Sequence, residues 1–87
     1  MADNEIIIKT IRARGNLNSA YQEGIVKILL GNNPKFGMEI SVKDDISNKV
    51  MQRKTWFMFN RNEIKEAEEF IYNLKEGLSI FRELVNR

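Results

Sequence analysis

From Ile64 onward, apolar residues return at alternating spacings of three and four without a break: Ile64, Ala67, Ile71, Leu74, Leu78, Phe81 and Val85. That spacing draws one stripe along an α-helix and does not fit a strand, whose faces alternate at every residue. Asn60 stands where an N-cap belongs, with Glu63 three positions on as in a capping box, so a helix is predicted over about residues 61 to 86. At 1.5 Å per residue such a helix is about 39 Å long. A strand of about eight residues spans only ~26 Å. The helix should therefore overhang any sheet built from short strands, and Phe70, Ile80 and Leu84 widen its stripe. Leu78, Phe81 and Val85 are then uncovered in a single chain, which predicts a homodimer whose helices, or helix and facing sheet, bury them.

Ahead of the helix, four segments have strand character. The first runs from about Glu5 to Arg14, with Ile6, Ile8 and Thr10 on one face and Ile7, Lys9 and Ile11 on the other. Asn16 to Glu23 is polar and reads as a loop. Ile25 to Leu30 is a short aliphatic run ended by the turn chemistry of Gly31-Asn32-Asn33-Pro34. The third alternates most clearly, with Phe36, Met38, Ile40 and Val42 opposed to Lys35, Glu39, Ser41 and Lys43. After a loop from Asp44 to Lys49, a fourth strand enters between Val50 and Thr55 and runs to Phe59. The reading is one α+β domain over residues 1–87, with a four-stranded antiparallel sheet at about 5–59 followed by one long helix.

The 87 residues contain neither cysteine nor histidine. The commonest general base, nucleophilic thiol and transition-metal ligands are thus missing, which argues against an enzyme and against a metal or other cofactor. Asp44 and Asp45 lack the further spaced oxygen ligands of a calcium loop. Neither a signal peptide nor a membrane span is read in the chain, and the expectation is a soluble cytoplasmic protein.

The net charge of +2 is unevenly spread. Residues 6–60 carry nine Lys or Arg against four acids, whereas residues 61–87 carry five basic and six acidic side chains. The basic surplus lies in the sheet region. Within it, Arg53-Lys54-Thr55-Trp56-Phe57-Met58-Phe59-Asn60 joins cations to aromatics. On a strand Lys54, Trp56 and Met58 share one face and Thr55, Phe57 and Phe59 the other, so Trp56 faces outward if the phenylalanines fill the core. A nucleobase stacking on Trp56, with Arg53 and Lys54 on phosphates, suits single-stranded nucleic acid. A Trp56 in the core or a dimer interface, with a solvated cationic edge, suits the same residues. Lys27, Lys35 and Lys43 form a second group on the outward side, where lysines also serve solubility alone, and Glu39 is their counterweight. Arg12 and Arg14 either extend the basic surface or end a solvated strand.

Four strands and a helix, with a basic approach to the last strand and an Asn at the helix start, resemble the positive-cofactor-four family of single-stranded DNA-binding transcriptional coactivators. The resemblance covers about Ile25 to Leu84. It rests on Met38-Glu39-Ile40, on Gln52-Arg53-Lys54 and on Phe57-Met58-Phe59-Asn60-Arg61-Asn62-Glu63. The purine-rich-element-binding and whirly families are similar in the same coarse sense. The resemblance implies dimers whose curved sheets bind single strands, with binding roles for Lys27, Lys35, Arg53 and Lys54, and also for Lys43 and Trp56. The chain departs from the pattern at Val42-Lys43-Asp44-Asp45, where the family tends to place an aromatic, and in its longer helix. The sequence thus points to a non-catalytic protein that binds single-stranded DNA or RNA with little sequence preference, in transcription or replication. The alternative is a protein-interaction module that uses the helix seam.

Overall fold

The computed structural model describes residues 4–87 apart from the Arg53 side chain; the acidic start Met1-Ala2-Asp3 lies outside the described residues. Four strands, β1 (Glu5–Ala13), β2 (Ala20–Leu29), β3 (Lys35–Asp44) and β4 (Val50–Asn60), precede a 3-10 turn (Arg61–Glu63) and one helix, α1 (Ile64–Val85). Each strand pairs antiparallel with the next, giving a sheet in the order β1-β2-β3-β4. The expected α+β architecture, an antiparallel sheet followed by one long C-terminal helix, is the one observed.

Turn chemistry sets where the strands stop. Gly31, at φ +119°, takes a backbone conformation that L side chains rarely adopt and lets the chain reverse between β2 and β3. Between β3 and β4 the Asp44 carboxylate accepts from the backbone N–H groups of Ile46 and Ser47, at 3.0 and 2.8 Å, and Asn48 adopts a left-handed φ of 62°. The helix start is fixed by a capping box. The Asn60 side chain accepts from the Asn62 N–H at 2.9 Å, and the Asn60 N–H donates to Glu63 Oε1 at 3.0 Å. Arg61 also donates to the carbonyl of Asn32, tying the helix start to the β2–β3 turn.

Two local expectations are corrected. β2 begins at Ala20, inside the stretch read as a loop. Tyr21, Gln22 and Glu23 pair with Lys43, Val42 and Ser41; the polarity of Tyr21 and Glu23 misleads because the face they share is itself polar, while Gln22 lies on the apolar face beside Val42. In β1, strict alternation fails because the register with β2 shifts between Ile7 and Lys9. Ile8 is the extra residue of a bulge, which changes the facing of everything after it. Ile6 therefore shares a face with Lys9 and Ile11, while Ile7 shares one with Thr10 and Arg12.

The sheet thus has two unlike faces. One carries Ile11, Val26, Phe36, Met38, Phe57 and Phe59, and α1 approaches it. There Phe70 meets Phe57 and Phe59 edge-on or tilted, with ring centroids 4.9 and 5.7 Å apart. Among the described residues only Ala20 and Ala67 are buried apolar side chains. The radius of gyration, 15.3 Å, exceeds the roughly 12 Å of a compact domain of this length. No described helix is long and apolar enough to cross a membrane.

Candidate nucleic-acid interface

The face turned away from α1 is built from two copies of one short pattern, Glu23-x-x-x-Lys27 on β2 and Glu39-x-x-x-Lys43 on β3. Residues four apart on a strand point to the same side. The antiparallel register sets Glu23 opposite Ser41 and Lys27 opposite Gly37. Glu23 is then diagonal to Lys43, and Lys27 diagonal to Glu39, within reach of long side chains. The resulting contacts are Lys43 Nζ to Glu23 Oε1 at 2.6 Å and Lys27 Nζ to Glu39 Oε1 at 3.0 Å.

Flanking strands complete two clusters. Arg12 of β1 donates to Glu23 Oε2 at 3.0 Å, and its guanidinium lies 5.5 Å from the centre of the Tyr21 ring. Lys54 of β4 lies 3.2 Å from Glu39 Oε2, and Glu5 of β1 accepts from Lys27 at 3.2 Å. Each buried carboxylate is therefore shared by two cations. Glu23, Lys27, Glu39 and Ser41 are all buried, although they lie on the face without a helix. Their neighbours' long side chains cover them.

These pairings move the ionisation equilibria. The hydrogen bond from Lys43 holds the Glu23 carboxyl below its usual range, with burial opposing it and Arg12 assisting. Burial pushes Glu39 upward, but Lys27 and Lys54 together outweigh it and the carboxyl ends low. For Lys27 burial acts downward, and the hydrogen bonds to Glu39 and Glu5 reverse it, so the ammonium is held above its ordinary value. All three groups are charged at neutral pH.

Trp56 lies across from Glu39 in the β3–β4 register. The Lys27 ammonium sits 4.5 Å from the centre of the indole ring, while the tryptophan is 47% exposed. One side of the indole is thus engaged by a buried cation and the residue still offers surface to a ligand.

The residues singled out in the sequence are distributed as follows. Lys27, Lys54 and Trp56 meet around Glu39. Lys27 is 5% exposed and held by two carboxylates, so it organises the face instead of presenting charge to solvent. Lys43 joins Arg12 around Glu23. Lys35 is exposed near the opposite end of β3, opposite Asn60, and makes no ion pair among the described residues. The Arg53 side chain lies outside the described residues. Arg14 is committed to the loops, bonding Asp45 Oδ2 at 2.7 Å and the Ala20 carbonyl at 3.1 Å. On α1, Leu78, Phe81 and Val85 are 52, 60 and 59% exposed.

The sequence reading missed Glu5, Glu23 and Tyr21 as members of the face. The repeated Glu-x-x-x-Lys spacing was the signal that could have found Glu23, because acid and base at matching strand parity invite a diagonal pair. Comparison of the chain with protein-family models, curated proteins and solved structures finds no match.

Proposed function

We propose that this chain is a non-catalytic, homodimeric protein that binds single-stranded DNA or RNA on the sheet face opposite α1. The observation that carries the reading is Trp56, half exposed on a four-stranded sheet, engaged by the buried Lys27 ammonium and flanked by Lys54. A base stacks on the exposed indole surface, and Lys54, Arg53, Lys43 and Lys35 track the phosphates. Among the described residues, five cations on this face (Arg12, Lys27, Lys35, Lys43, Lys54) stand against three carboxylates (Glu5, Glu23, Glu39), a surplus of two. Transcription and replication, which expose single strands, are the fitting processes, and a cytoplasmic location suits the reading.

Fluorescence anisotropy of a labelled single-stranded oligonucleotide, with a duplex control at low and moderate salt, tests it. Salt-sensitive binding that prefers the single strand is expected, and no binding at low salt would sink the reading. Changing Arg53 and Lys54 together to Ala should flatten the slope of log affinity against log salt by about 0.7 for each cation removed.

A second reading is favoured by one observation, the exposure of Leu78, Phe81 and Val85 along a single seam. In that reading the chain is an adaptor that grips another protein with α1. A stable monomer without nucleic-acid affinity would support it.

A further inference from the structure

The apolar side of the sheet and the far half of α1 are both uncovered, and they belong to the same chain. Between sheet and helix lies a cleft of about 360 Å³. Its walls are wholly apolar and include Ile11, Val26, Met38 and Phe57 from the sheet, with Ile71 and Leu74 from α1. Those two helix positions belong to the seam that continues through Leu78, Phe81 and Val85. The chain thus carries a receiving surface and, on the same stripe, a segment able to fill one.

We infer that the cleft receives the C-terminal half of α1 from a second copy of this chain, and that the exchange is reciprocal. The inference rests on the homodimer in the proposed function and not on nucleic-acid binding. A two-fold axis satisfies cleft and seam together, because each copy supplies what the other lacks. The area is sufficient. On the sheet Ile6, Ile11, Ile40 and Phe57 are exposed, as are the five seam positions of α1 from Ile71 to Val85. At roughly 80 Å² apiece, about half of what a smaller aromatic buries, they offer roughly 700 Å² per copy. A standard interface takes about 800 Å² per partner. The unusually large radius of gyration, 15.3 Å, has the same explanation, since the compact unit is the pair.

The absence of cysteine from the sequence makes the test clean. An Ile11→Cys chain is co-refolded with a ¹⁵N-labelled Phe81→Cys chain and treated with a short bismaleimide, and the products are weighed by mass spectrometry. The expected result is a mixed-label covalent dimer several-fold more abundant than either same-label product. Light scattering of the unmodified chain should give the dimer mass at about 100 μM, a concentration chosen to hold even a dimer of ~1 μM Kd together. A monomer mass, or cross-linking confined to Phe81 with Phe81, would overturn the inference. Oligonucleotide binding measured on the same preparations separates the two claims. Binding without mixed cross-links removes only the exchange, and mixed cross-links without binding remove only the nucleic-acid reading.

Discussion

The two faces of this sheet invert the usual relation between polarity and burial. On the charged face Glu23, Lys27 and Glu39 are 4–5% exposed, whereas on the apolar face Ile11 and Phe57 are about half exposed. Hydrophobic side chains ordinarily supply the buried core of a folded chain. Here the charges are internally satisfied, and no buried side-chain polar atom among the described residues lacks a partner. The apolar surface is not satisfied within one copy. Chemical self-sufficiency therefore lies on the face proposed for the ligand, and incompleteness lies on the face proposed for the dimer.

That comparison breaks most readily on the apolar side. Leu78→Asp with Phe81→Asp places two charges where the partner's cleft would have to desolvate them, at a cost of several kcal/mol. The expected outcome is loss of the dimer, read by light scattering, together with a lower melting temperature by circular dichroism. An intact dimer would show that the apolar face is covered in some other way.

The charged face is sharpened by Gly37, where an added Cβ would fall 2.0 Å from the Phe57 carbonyl oxygen and 2.8 Å from Met58 Cα. Backbone must move, so Gly37→Ala should destabilise by about 1–3 kcal/mol. Thermal melting checks this, with about 4–8 °C expected per kcal/mol in a domain of this size. Trp56→Ala should remove one stacking contact worth about 1–3 kcal/mol, roughly a five- to 150-fold loss of single-strand affinity by anisotropy. Folding should weaken as well, because the covered half of the indole and its contact with the buried Lys27 ammonium are lost. Affinity is therefore compared at a temperature where circular dichroism shows the variant fully folded.

Acidification gives a smaller and signed effect. Glu23 and Glu39 have lowered values in the folded chain. Their contribution is present above the unfolded carboxylate value of about 4.3 and fades as pH falls through the lower folded values. Urea midpoints should therefore decline on acidification below about pH 5 and be flat near neutrality with respect to these two groups. Replacing Glu39 by Gln should remove most of its share of that decline. It should also modestly raise single-strand affinity, because Lys54 loses the carboxylate at 3.2 Å.

Much of the fold was legible because its signals are local. The seam of α1, the Asn60 cap and the alternation from Phe36 to Val42 each depend on spacing within one segment. The start of β2 and the facing of β1 were not legible. Ala20 to Glu23 becomes a strand only because β3 offers Ser41 and Lys43 across from it, a non-local fact. The bulge at Ile8 likewise lies in the pairing and not in Ile6-Ile7-Ile8, three identical side chains that suit either face. Of the candidate site, the charge and aromatic content were readable. The sharing of each acid between two cations was not, since it needs the diagonal register.

The placement of Trp56 has an optical consequence. It is the only tryptophan in the chain and lies on the charged face in contact with an ammonium, while the tyrosines are at Tyr21 and Tyr72. Excitation at the red edge of protein absorbance therefore reads one indole. Its emission records the electric field of Lys27 in the free protein and the arrival of anything that stacks on it, so the molecule carries its own unlabelled gauge of occupancy.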